Sequence, residues 1–254
     1  MQYDAIIVGS GISGGWAAKE LTEKGLKTLL LERGRDVKHV KDYPTATLDP
    51  WELPNHNILT EEDKKTYPVQ SKVYHFGQDD KHFFVKDTEH PYGQVKPFLW
   101  TQGNQVGGKS LLWSRHTFRL SDLDFEANLK EGVGIDWPIR YKDIEPWYDY
   151  VESFIGVSGR NEGLPQLPDG QFIPPFEMNC LEKHLKKRIE ATFKERNLIE
   201  SRMAVLTQPH NGRGKCMSRN LCHRGCPFGA YFSSNSSTLP AAYATGNLTL
   251  RPHS

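Results

Sequence analysis

The apolar positions fall into short β-rich runs that stop at glycines. "YDAIIVG" (Tyr3 to Gly9) is one such run, with the pattern of a buried parallel strand, and "KTLLLERG" (Lys27 to Gly34) is another. Between them "SGGWAAKELTEKG" has helical character, with Ala17 and Leu21 one turn apart and Gly25 placed to end the helix. A strand–helix–strand unit of this size predicts the opening βαβ of a nucleotide-binding parallel sheet.

Further along, the pattern changes. From Asp36 to Lys96 prolines and aromatics are scattered without a period, as expected of an insertion packed over the first unit's ligand face. "LWTQGNQVGGKSLLW" (Leu99 to Trp113) is a second glycine-punctuated segment. "SDLDFEANLKEG" and "RYKDIEPWYDYVESFIG" predict helices, with the aromatics of Tyr141 to Tyr150 turned inward. Gly163 to Asn179 is too rich in proline for regular structure. The segment after it predicts an amphipathic helix with Leu181, Leu185, Ile189 and Phe193 on one stripe. Leu248 to Leu250 predicts one more strand.

Composition narrows the function class. Among 254 residues, 32 Lys+Arg balance 31 Asp+Glu, so no charge field points to nucleic acid or an anionic membrane. No apolar run approaches the ~20 residues of a membrane span. "MQYDAIIVG" lacks the basic and long apolar regions of a signal peptide, so the expected location is cytoplasmic, where thiols stay reduced.

Gly9, Gly11 and Gly14 form G-x-G-x-x-G at the strand-to-helix turn. The first permits the tight turn, the second lets the backbone approach a pyrophosphate, and the third lets helix pack on strand. Glu32 ends the second strand, placed to accept hydrogen bonds from a ribose with a free 2′-hydroxyl. That does not separate FAD from NAD. The second glycine segment does: Gly107 and Gly108 allow the backbone to lie against a large planar or pyrophosphate-bearing ligand, and Ser110 adds a hydroxyl donor.

With "IIVGSGISGGWAAKEL", "LLLERG", "NQVGGKSLLWSRHTFRLSDLDF", "DWPIRY" and "CHRGCPFGAYFSSNSSTLPAA", the chain resembles the glucose–methanol–choline (GMC) FAD-dependent oxidoreductases. The resemblance is strongest to the bacterial branch of gluconate, fructose and glucoside dehydrogenases. It implies an α/β fold: an FAD-binding Rossmann-like domain with inserted segments and part of a substrate domain. Residues 1–35 and 97–125 would form the FAD-binding core, 36–96 an insertion over the FAD site, and 126–200 part of a substrate or cap region. Residues 201–254 would carry the cysteine loop and return to the FAD-binding domain.

The resemblance further implies that Gly9, Gly11, Ser13, Gly14 and Glu32 hold the ADP half of FAD. It places Gly107, Gly108, Ser110, Leu112 and Trp113 along the flavin and its pyrophosphate. Leu112 stands where pyranose oxidases carry a histidine bonded to the flavin, so the FAD is expected to be non-covalent. His116, beside aromatics, reads as structural. The family's catalytic His/His or His/Asn pair lies near the C-terminus of a considerably longer chain and has no match here. The expectation is an N-terminal half, with no catalytic residue of its own.

Cys216, Cys222, Cys226 and Pro227 read C-x5-C-x3-C-P, the bacterial ferredoxin run with Arg219 at the second cysteine. Three thiolates suit a three-iron cluster, or a four-iron cluster with one other ligand. Related sugar dehydrogenases use such a cluster to pass electrons outward. Zinc on the three cysteines with His223, or three reduced thiols without a metal, are the alternatives. Cys180, near a helix start, reads as a packed thiol. The implied activity is oxidation of a CH–OH group of a sugar or glycoside, with a small electron-transfer subunit or cytochrome as partner. The rival readings are a dioxygen-using sugar oxidase and a non-catalytic flavin or iron–sulfur electron-transfer module.

Overall fold

A computed structural model describes residues 2–254. In chain order the elements are β1 (Ala5–Val8), α1 (Ile12–Glu23), β2 (Thr28–Leu31), α2 (Glu61–Thr66), α3 (Asp122–Phe125), α4 (Ala127–Glu131) and α5 (Tyr141–Ile155). β3 (Val157–Ser158), β4 (Phe172–Ile173), α6 (Cys180–Thr192), α7 (Thr238–Ala244) and β5 (Leu248–Arg251) follow. The chain forms two compact units. The first comprises residues 1–113, 218–229 and 233–254; the second comprises 114–217 and 230–232. Residues 114–125 lie in the second unit.

The first unit is built on a parallel sheet of order β1-β2-β5, with Ala5 opposite Thr28 and Thr28 opposite Leu248. Its core joins Ala18 of α1, Leu30, Val106, Leu239 and Ala242, with Ile7, Leu248 and Leu250 packed against them. The central strand is buried, as its sequence predicts. β1 differs from its predicted buried state: Ile6 is 65% and Val8 84% exposed. It is an edge strand, paired on one side only, and its side chains alternate between the covered and open faces of the sheet. The buried face of α1 is Gly15, Ala18, Lys19 and Thr22, while Ala17 and Leu21 are half-buried. Gly15 decides this face: a Cβ there would meet Thr238 Oγ1 at 2.6 Å and Ser234 Oγ at 2.9 Å, so α1 is drawn against the start of α7.

The insertion holds α2 and several single 3-10 turns around two apolar clusters, one of Val37, Tyr43, Ala46, Phe83 and Leu111, the other of Tyr67, Phe76 and Phe84. Thr60 caps α2. Asp63 is the polar knot: it accepts from Thr60 N–H and Oγ1, from Gln78 Nε2 (2.6 Å) and from Lys81 Nζ (2.7 Å). Burial opposes its charge, but these donors win and hold its carboxyl well below the usual range.

In the second unit Ile155, Val157, Ala204, Val205 and Leu206 are buried. Arg119, 2% exposed, is gripped by Glu152 (2.9 and 2.5 Å), Asp149 (2.5 Å) and Tyr141 Oη (2.8 Å). Burial disfavours its charge, yet these partners push its pKa upward. α5 runs as its sequence predicts, but the aromatics do not all turn inward: Trp147 is 67% and Tyr150 40% exposed, because the inner face of α5 is committed to Glu152 and Ile155. α6 likewise forms over the predicted segment, yet none of its residues is buried. Its predicted stripe stays open, with Leu181 70% exposed. Cys180 is exposed rather than packed, since it opens this solvent-facing helix.

Candidate cofactor site

The first unit gathers the two glycine segments at the carboxyl end of its sheet. Gly9 leaves β1 with φ +90°, a left-handed turn open to glycine at no steric cost. A Cβ on Gly9 or Gly11 would meet nothing within 4 Å, so both turn bare backbone to open space. At Gly14 the same test places Cβ 1.8 Å from the Gly9 carbonyl oxygen; there helix and strand touch. α1 starts after Gly11 with no side-chain cap and no acidic residue in its first turn. Its N-terminal amides and positive end suit a phosphate.

The second glycine segment is fastened beside the first. Val106 N–H donates to Arg35 C=O (3.0 Å), and a Cβ on Gly34 would strike Asn104 C=O at 1.8 Å. Gly107 (φ +93°) and Gly108 (φ +50°) turn the chain into the 3-10 helix Gly108–Leu111. A Cβ on Gly108 would lie 3.3 Å from Gly11 Cα. The two turns therefore lie side by side: a side chain on Gly9 or Gly11 would enter open space, whereas one on Gly107 would strike Asn235 Oδ1 at 1.7 Å.

The predicted residues divide into two groups by what their side chains do. Ser13 is exposed on the first turn of α1. Glu32, 6% exposed, accepts at Oε2 from Ser10 N–H (3.0 Å) and Ser10 Oγ (2.5 Å), and at Oε1 from Gly34 N–H (2.8 Å). Oε1 keeps one lone pair for a ribose hydroxyl. Ser110 is fully buried, and its hydroxyl donates to Gly107 C=O (2.5 Å) while accepting from Ser234 N–H (3.0 Å). Its hydroxyl thus shapes the turn from within. Leu112 packs on both apolar clusters of the insertion, and Trp113 is half-buried.

Three residues outside the predicted set fasten this site. Ser10 bonds Glu32 and receives Gly107 N–H (3.1 Å). Asn235 Nδ2 donates to Val37 C=O (2.8 Å) and Val106 C=O (3.0 Å), and its buried Oδ1 has no partner. Ser234 Oγ donates to Gly11 C=O (3.1 Å). The signal was the run of small polar residues, "SSNSST", just ahead of α7.

The cysteines are divided. Cys216 belongs to the second unit, where its N–H donates to Leu206 C=O (2.7 Å); Cys222 and Cys226 belong to the first, and all three are half-buried. Among the described residues, no group of three or more His, Cys, Asp or Glu side chains is arranged to hold a metal ion. What holds the first unit's part of the loop is Asp79, 1% exposed, whose Oδ2 accepts from Arg224 Nε (2.9 Å) and pairs with His223 Nε2 (2.7 Å). Burial raises the Asp79 pKa, but these two partners outweigh it and bring it to about 2. Arg219 adds a bond to Ala46 C=O, and Gly225 turns its bare Cα onto the Tyr43 ring.

Fold and glycine geometry define a Rossmann-like dinucleotide-binding protein. A family profile for the NAD(P)-binding Rossmann-like domain matches residues 7–64. The chain is 28% identical over 250 residues to the fructose dehydrogenase large subunit of Gluconobacter japonicus, covering 92% of this chain and 42% of that protein. It is 33% identical over 176 residues to the gluconate 2-dehydrogenase flavoprotein of Pantoea cypripedii, covering 62% of this chain and 26% of that one. Among solved structures, pyridoxine 4-oxidase from Mesorbium loti superposes with a TM-score of 0.50 at 15% identity, over 99% of this chain and 42% of that chain. These similarities support the resemblance to the GMC family of FAD-dependent oxidoreductases. It spans 42% of the length of the fructose dehydrogenase subunit. Among the described residues no helix is long and apolar enough to cross a membrane.

Proposed function

We propose that the whole protein is an FAD-dependent dehydrogenase acting on a CH–OH group of a sugar or glycoside. The observation that carries this reading is the approach of the two glycine segments, with a Gly108 Cβ only 3.3 Å from Gly11 Cα. A space bordered by two bare-backbone turns suits an extended dinucleotide. The names of the relatives, a fructose and a gluconate dehydrogenase, support the substrate class. Bound FAD supplies a hydride acceptor for the carbinol carbon.

In this reading Gly9, Gly11 and the N-terminus of α1, which includes Ser13, take the pyrophosphate, and Gly14 holds that helix in place. Glu32 Oε1 accepts from the ribose. Gly107 and Gly108 lie along the flavin, with Ser110, Leu112 and Trp113 backing their turn. Leu112 carries no nucleophile, so FAD is held without a covalent bond. No residue of this chain is assigned as the proton acceptor.

Electron exit through iron–sulfur is a separate proposal, carried by the C-x5-C-x3-C spacing of Cys216, Cys222 and Cys226 and not by their arrangement, so no step is routed through it. It extends to a small electron-transfer subunit or cytochrome as the acceptor. Iron analysis of anaerobically purified protein tests it: about three or four irons per chain support it, and zinc or no metal rejects it. The dehydrogenase reading is tested by mixing full-length protein anaerobically with a panel of sugars and glycosides. Bleaching of the flavin and dye-linked turnover are expected. A flavin that no sugar bleaches contradicts it and leaves a non-catalytic electron-transfer module; turnover on dioxygen in preference to dye makes the protein an oxidase.

A further inference from the structure

Ser10 occupies the variable position of the G-x-G turn, and neither the fingerprint nor the ribose-binding role of Glu32 requires a hydroxyl there. It is nevertheless fully buried, and both its polar functions are used. Its Oγ–H donates to Glu32 Oε2 at 2.5 Å, and the same oxygen receives Gly107 N–H at 3.1 Å. The direction of this chain is fixed by chemistry. A backbone amide only donates and an ionised carboxylate only accepts, so the hydroxyl between them has one orientation. Aligned in that order, the two hydrogen bonds strengthen each other away from water.

The three residues come from three separate stretches: the first glycine turn, the end of β2 and the second glycine turn. Glu32 would meet the ribose end of the cofactor; Gly107 starts the turn that would meet its flavin end. Ser10 also loads Oε2 with two donors, which leaves Oε1 as the carboxylate oxygen with a free lone pair.

We propose that Ser10 is a positioning residue that latches the two halves of the FAD cradle together before the cofactor arrives, aiming Glu32 Oε1 at the ribose and fixing the Gly107 turn. This rests on the FAD reading above. Removing the hydroxyl leaves a buried Gly107 amide unpaired and takes one of three donors from the Glu32 carboxylate, which keeps Ser10 N–H and Gly34 N–H, so the link between the two ends of the site is lost.

The test uses full-length protein stripped of flavin and titrated with FAD and with ADP, which carries the ribose and the phosphates but no flavin. Ser10→Ala is expected to weaken FAD about tenfold to a hundredfold, and ADP by clearly less. In a double-mutant cycle with Glu32→Gln, the losses in FAD affinity are expected to be less than additive, because both variants break the same chain of bonds. Unchanged FAD affinity in Ser10→Ala overturns the proposal. Equal losses for FAD and ADP also overturn it, because Ser10 would then serve Glu32 alone. If the wild type itself binds no FAD, the cofactor reading fails instead. An arm that needs no variant is amide exchange in the unliganded wild type. A latch closed in advance predicts a protected Gly107 amide, and rapid exchange there rejects it even if Ser10→Ala does not fold.

Discussion

A single methyl group at residue 14 would stand 1.8 Å from the Gly9 carbonyl oxygen, whereas one at residue 11 would touch nothing within 4 Å. The same residue type thus does two different jobs three positions apart. Gly14→Ala forces α1 off β1 and is expected to lower stability by about 2–3 kcal/mol, read from denaturant midpoints. Another single-residue signature lies at His82, whose pKa burial lowers to about 4, with Arg35 adding to the effect. Its folded pKa lies below the unfolded value of 6.5, so the unfolded chain binds more protons between the two. The stability His82 contributes is therefore complete above pH 6.5 and is lost as the pH falls toward 4. Thermal melts of His82→Phe should show a flatter pH dependence across that window than the wild type. An equal slope would mean the imidazole is not buried in the neutral form.

Among the elements, those with local signals were legible and those set by distant partners were not. β2, α5 and β5 form where their apolar runs and glycine stops place them. Periodicity does not say which strand lies at the edge of a sheet, so the exposure of Ile6 and Val8 on β1 could not be read from an apolar run that resembles β2. Nor does an amphipathic stripe reveal whether anything covers it, as α6 shows. The cradle followed the same rule. Its glycines were visible from spacing, but Ser10, Ser234 and Asn235 act through bonds to residues far along the chain, which no local pattern encodes. The stretch 218–229 is held by such a long-range bond, from Asp79 to Arg224 and His223. Asp79→Ala leaves the Arg224 charge buried without its partner and is expected to cost about 3 kcal/mol. Limited proteolysis should then cut within 218–229 sooner than in the wild type; an unchanged cleavage pattern would show that other contacts hold the loop.

At the scale of the whole molecule, the chain accounts for 42% of the length of the fructose dehydrogenase subunit it resembles, so cofactor binding is the property that it carries most directly. The central claim is that the two glycine turns enclose a dinucleotide. Gly11 offers a clean test, because its missing side chain faces open space and a larger residue there need not disturb the protein's own packing. The deciding measurement is FAD content per chain in purified wild type and in Gly11→Leu, with the two melting at similar temperatures. The account predicts near-stoichiometric flavin, released by acid, in the wild type and none in the variant. Flavin retained by a folded Gly11→Leu would contradict it.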